Sequence, residues 1–143
     1  MFDRPVKEVM LREKVLKAPP ETLVCNAARL MVSTSAGAVM VIADERLVGI
    51  CTERDIVFRV VAKGLDAQLT RLADVMTPGP QTIDPDKPFG CALLMMHEKG
   101  FRHLPVTRDG KVVGMVSSRS ALDPTLEEFV SEEQRRKHFQ ENA

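Results

Sequence analysis

The stretch Val48-Gly49-Ile50-Cys51-Thr52-Glu53-Arg54-Asp55 and its counterpart Val113-Gly114-Met115-Val116-Ser117-Ser118-Arg119-Ser120 lie 65 residues apart. Each runs from a short apolar strand into a Thr- or Ser-led turn of the kind that starts a helix. Sliding the chain along itself at that offset lays residues 18–55 over 83–120 without gaps. Eight of the 38 positions are then identical, where composition gives roughly two. The identities include Ala27/Ala92, Met31/Met96, Val41/Val106, Asp44/Asp109 and Gly49/Gly114. One gap upstream, Val6-Lys7-Glu8-Val9-Met10 matches Leu72-Ala73-Asp74-Val75-Met76. The chain is two copies of one unit of about 60 residues, divided here as 1–64 and 65–123, with a charged tail at 124–143.

Each copy carries the same pattern. Val24, Ala27, Ala28 and Met31 recur at helical spacing, as do Phe89, Ala92, Leu93 and Met96, giving one apolar stripe per unit. Pro88 suits a first helical turn and Gly100 the residue just past a last one. Ala38 to Ala43 and Leu47 to Cys51 read as a hairpin around Asp44-Glu45-Arg46, and His103 to Thr107 and Lys111 to Val116 as another around Arg108-Asp109-Gly110. A second helix is expected over Glu53 to Lys63, stopping at Gly64, and another from near Ser118, breaking around Asp123-Pro124. Extended segments holding Val15 and Leu16, and Thr82 and Ile83, precede the first helices. The fold class is α+β: per unit, a small three-stranded sheet with two helices on one face. The face left open is apolar, and two copies packed together would cover it.

Composition narrows the function. Of 143 residues, 44% are hydrophobic and 28% charged, and 20 basic side chains balance 20 acidic ones, so nothing global recommends a nucleic acid or an anionic membrane. With no Trp, no Tyr and six Phe, a base-stacking platform is not expected. The N-terminus is charged from Asp3, and no apolar run approaches the ~20 residues that span a bilayer, which points to the cytoplasm. Cys25, Cys51 and Cys91 are too scattered for a zinc or redox pair and read as buried free thiols. His97, His103 and His138 do not cluster with them, so a metal site is not expected.

The paired units resemble cystathionine-β-synthase (CBS) domains in the tandem arrangement called a Bateman module. The resemblance runs over residues 5–122 and rests on Gly100-Phe101-Arg102-His103-Leu104-Pro105-Val106 and on the two stretches that end at Asp55 and Ser120. It implies a regulatory binding module rather than an enzyme. The implied ligand is an adenosyl compound (AMP, ADP, ATP or S-adenosylmethionine) in a cleft between the repeats, regulatory rather than a required cofactor. It also implies a homodimer and an unidentified regulated protein. No nucleophile with a base and no phosphate-binding glycine loop argues for catalysis.

The resemblance suggests two sites. The first takes Thr52, Arg54, Asp55, Gly49, Val15, Gly37 and Ala38; the second, weaker one takes Arg102, His103, Ser117, Arg119, Ser120 and Ile83. Thr52 and the free N–H groups of the following helix can meet phosphate oxygens, Asp55 can accept from vicinal ribose hydroxyls, and Gly49 lets backbone come close. Thr-x-x-Asp is equally the pattern of a capping box that binds nothing. Ser120 replaces the carboxylate in the second copy, while Arg102 and His103 stand where the first has Gly37 and Ala38. These two are either phosphate ligands or a solvated strand entry. Either one preferred cleft is built around Asp55, or a second cleft holds phosphate without a ribose anchor. The alternative to a sensor is a ligand-free dimerising scaffold. In the tail, acidic residues lead basic ones and Leu126, Phe129 and Val130 form a stripe, as in a helix lying on the module; a solvated, fraying tail is the other possibility.

Overall fold

The computed structural model describes residues 2–13, 15–118, 133, 135–137 and 140. Strand β1 (Leu16–Ala18) leads to helix α1 (Val24–Thr34), then a hairpin of β2 (Ala38–Ala43) and β3 (Arg46–Thr52). A short helix α2 (Glu53–Ile56) continues directly into a π-helical turn (Val57–Val61). Helix α3 (Leu72–Val75) and strand β4 (Thr77–Pro78) cross to the second unit, which holds α4 (Phe89–Lys99) and the hairpin β5 (His103–Arg108) and β6 (Lys111–Ser117).

Local chemistry sets the ends. Ser35 closes α1 and Gly100 closes α4 in left-handed conformation, at φ 54° and 72°. Asp44-Glu45 and Asp109-Gly110 both take positive φ at two successive residues, the geometry that matches hairpin twist. Each hairpin carries the same register shift, between Val41 and Ile42 and between Val106 and Thr107. The expected long helix after Thr52 departs from plain α geometry at Val57, where hydrogen bonds lengthen to i+5, Ala62 N–H to Val57 O and Leu65 N–H to Val60 O.

The hairpin strands bury side chains on both faces. Val39, Val41 and Cys51 face α1 in a first core with Val24, Ala27 and Met31. Leu104, Val106 and Val116 face α4 in a second with Phe89, Ala92 and Met96. The alternate residues Ala38, Met40 and Ile50 meet Val112 and Met115 between the units. A fully buried aliphatic side chain contributes about 1.5–3 kcal/mol, so this shared layer holds the two units together.

The leading segments are exchanged. Val6 lies in the second core and Leu72 and Val75 in the first, so each leading segment packs on the other unit. Val6 N–H donates to Lys87 O at 2.8 Å, Phe89 N–H to Arg4 O at 2.7 Å, and Leu72 N–H to Thr22 O at 2.8 Å. Lys7 and Arg108 both pair with Asp86. The exchange also alters the strand count: β4 joins the first sheet as a fourth strand, in the order β1-β2-β3-β4. In the second unit the corresponding pairings are single bridges, Ile83 to Val106 and Leu11 to Met115.

Among the cysteines only Cys51 is buried; Cys25 is half-buried and Cys91 exposed on α4, which corrects the expectation of three buried thiols. No helix among the described residues is long and apolar enough to cross a membrane. Beyond Ser118 itself, the helix expected to start there lies outside the described residues, as do Arg119, Ser120 and the Leu126, Phe129 and Val130 stripe. In the tail Glu133, Arg135, Arg136, Lys137 and Gln140 are helical, with Arg136 donating to Glu133 at 3.4 Å.

Candidate functional site

A cavity of about 800 Å³ opens where the two units meet. The β3–α2 turn contributes Thr52, Arg54 and Asp55 to its lining, and the residues that lead into β5 contribute Phe101, Arg102 and His103. Thr77, Gly79, Pro80 and Gln81 of the crossing segment also line it. Of the residues expected in two sites, Arg102 and His103 line the same cavity as Asp55. The cause is the packing of β5 across the first unit, where a Cβ on Gly37 would lie 3.0 Å from His103 Nε2.

Thr52 and Asp55 form the capping box. Asp55 Oδ2 accepts from Thr52 N–H at 2.9 Å and Thr52 O–H at 3.1 Å, and Asp55 N–H donates to Thr52 Oγ1 at 3.2 Å. Glu53 N–H is also engaged, by Gly37 O at 3.0 Å, so the start of this helix is not the row of free donors expected from sequence. Asp55 Oδ1 is less committed. It has Thr77 Oγ1 at 3.5 Å and Arg59 Nε at 3.7 Å, and the Asp55 side chain is 12% exposed. The two oxygens are thus differently engaged: Oδ2 holds the turn, and Oδ1 stands beside Thr77 of the crossing segment.

The cationic groups are differently placed. Arg54 lies over the Phe58 ring, 4.8 Å from its centroid, and both line the cavity. Among the described residues no carboxylate pairs with Arg54 or Arg102. Burial pushes the His103 imidazole below its ordinary value; Glu53 opposes this and Arg102 adds to it. At neutral pH His103 is therefore an uncharged group that can donate or accept. Burial, helped by Asp55, pushes the Cys51 thiol up to about 12, so it is inert near neutrality.

Several expected residues lie elsewhere. Gly49 does not border the cavity: the Met76 side chain sits on it, its Cγ 2.9 Å from where a Cβ would be. Gly114 receives Met10 in the same way, so these glycines seat the exchanged segments. Ala38 and Ile83 are core, 1% and 6% exposed, and Val15 packs on the layer between the units. Ser117 ends β6 opposite His103. Gly37 lines a separate groove of about 460 Å³ between α1 and α2. Phe58, Phe101 and Thr77 line the cavity but carry no repeat signal; the Pro-Gly-Pro run at 78–80 marks a crossing segment without showing what it borders.

The CBS domain family model matches residues 6–62 and 72–124. The chain belongs to the CBS family. A CBS domain-containing protein of Arabidopsis thaliana is 42% identical over 104 residues, covering 72% of this chain and 19% of that protein. The chain spans less than a fifth of the length of the first curated relatives it matches. An uncharacterised conserved protein of Pyrococcus horikoshii superposes with a TM-score of 0.79 at 32% identity, covering 85% of this CBS pair and 92% of that chain. A CBS domain pair crystallised with 5′-methylthioadenosine and S-adenosyl-L-methionine superposes at 0.74 with 23% identity, covering 82% and 91%.

Proposed function

We propose that this CBS pair is a regulatory module, not an enzyme, that binds an adenosyl ligand in the cavity between its units and signals occupancy to a partner protein. One observation carries the proposal: a cavity of about 800 Å³ sets the Asp55 carboxylate of one unit against Arg102 and His103 of the other. Such a site can hold a polar sugar at one end and an anion at the other while both units contribute, so occupancy is felt by their relative placement. A related fold crystallised with two adenosyl compounds supports the ligand class.

Within that class the cavity favours a nucleotide with phosphates. Arg54 and Arg102 face it without carboxylate partners among the described residues, and guanidinium groups match phosphate oxygens. S-adenosylmethionine, which is net positive, offers them only one carboxylate. Half-exposed Val57 and Phe58 and more exposed Val61, at 52%, 54% and 68%, support homodimerisation through this helix. The scaffold reading keeps one specific support, because Thr52 and Asp55 Oδ2 already satisfy each other without a ligand.

Titration calorimetry with AMP, ADP, ATP and S-adenosylmethionine, on the natural chain and on Asp55→Ala, tests the proposal. Micromolar binding of a phosphate-bearing member, weakened about tenfold or more in the variant, is expected. No heat with any member would favour the scaffold.

A further inference from the structure

Arg59 lies outside the cavity, yet it touches both the carboxylate on one wall and the segment that forms another. Its Nη1 donates to Met76 O at 3.1 Å and to Val75 O at 3.2 Å, and its Nε stands 3.7 Å from Asp55 Oδ1. The carbonyls belong to the end of α3, a four-residue helix whose last acceptors have no partners of their own within it, and a cation there also matches the helix dipole. Thr77, the next residue, pairs with Ile50 in β3 and turns its hydroxyl to the same Oδ1, and Gly79 to Gln81 continue the cavity wall. Asp55 and Arg59 are four residues apart, neighbours on a helix face. The π-helical turn that begins between them leaves Val60 buried in the first core.

We propose that Arg59 is the positioning residue of this site: its guanidinium locks the Asp55 carboxylate to the crossing segment, so that sugar anchor and cavity wall are held in register across the two units. The proposal rests on the cavity being the nucleotide site. A planar fork serves two carbonyls and a carboxylate at once; a lysine ammonium, a point charge, cannot span all three.

The test uses Arg59→Gln and Arg59→Lys, each also combined with Asp55→Asn. The first measurement needs no ligand: residue-resolved hydrogen exchange of the amides of Thr52, Met76 and Gly79, which donate to Asp55 Oδ2, Leu72 O and Val48 O. In Arg59→Gln these should exchange at least about tenfold faster while the β5–β6 hairpin is unchanged. Unchanged rates at all three would overturn the proposal. The second is the affinity for ATP and AMP by calorimetry. Arg59→Gln should weaken the tighter of the two about tenfold, Arg59→Lys should recover part of that, and in the Asp55→Asn background Arg59→Gln should change affinity less than about twofold. Multiplying effects in the double variant would show that Arg59 does not act through Asp55, and would refute it. If the natural chain binds neither probe, the nucleotide reading fails by itself and exchange alone decides the role of Arg59.

Discussion

Replacing Gly114 by Ala should be far more damaging than the matching change at Gly49, although the two glycines occupy the same position in the repeat. At Gly49 the three atoms nearest a new methyl all belong to the Met76 side chain, a flexible thioether that can change rotamer. At Gly114 it meets Met10 and also Leu11 O at 2.9 Å. That carbonyl accepts Met115 N–H at 3.0 Å, and Leu11 N–H donates back to Met115 O at 2.8 Å. Ordinary contact begins near 3.4 Å, so the backbone must retreat by about half an ångström and weaken a bond that ties the exchanged segment down. Overpacking of this kind costs ~1–3 kcal/mol and the lost hydrogen bond ~1 kcal/mol, giving about 2–4 kcal/mol. At Gly49 a cost of about 1 kcal/mol is largely offset by the reduced freedom of the unfolded chain. Scanning calorimetry reads the difference, since ~1 kcal/mol moves the Tm of a domain this size by roughly 2–4 °C. Gly114→Ala should melt about 4–16 °C lower and Gly49→Ala within a few degrees of the natural chain. Equal losses, or the reverse order, would refute the exchanged-segment account.

Three further outcomes follow from the same geometry. The His103 pKa is lowered by burial from an ordinary 6.5, so the unfolded chain takes its proton first; that contribution is complete above pH 6.5 and is lost as pH falls below it. The urea midpoint should therefore drop between pH 7.5 and 5.5, and drop less in His103→Gln; an identical drop in both would contradict the assignment. Exposed Cys91 should react quickly with a thiol reagent under native conditions and buried Cys51 only on unfolding, and fast modification of Cys51 would show that the first core is open. Deleting residues 1–11 removes Val6 from the second core, so the β5–β6 amides should lose exchange protection while those of β2–β3 retain most of theirs; equal protection of both hairpins would show that the segment is dispensable.

Both hairpins and helices α1 and α4 were legible because their signals are local: alternation, helical stripes, an Asp-Gly turn and Gly100. The capping box was legible for the same reason, though not which Asp55 oxygen it takes. The exchange was not. Val6–Met10 and Leu72–Met76 align as equivalent segments, but the alignment does not say which core receives each. A signal was nonetheless present, since both copies pair a Met at the end of that segment with a Gly in the last strand. The convergence of Asp55 with Arg102 and His103 depends on the shared layer of Met40, Ile50, Val112 and Met115, which comparison of one repeat with the other cannot supply. The π-helical turn was hidden because Val57-Phe58-Arg59-Val60-Val61 reads as ordinary helix. Its role in placing Arg59 emerges only from the contacts with Val75 and Met76.

The most direct test of the central claim is a crystal structure of the natural chain with the tightest-binding nucleotide of the adenosyl series. A ribose hydroxyl should lie within hydrogen-bond distance of Asp55 Oδ1 and a phosphate oxygen at Arg102, with the Thr52 capping box intact. A nucleotide seated outside this cavity, or inside it with Asp55 and Arg102 untouched, would contradict it.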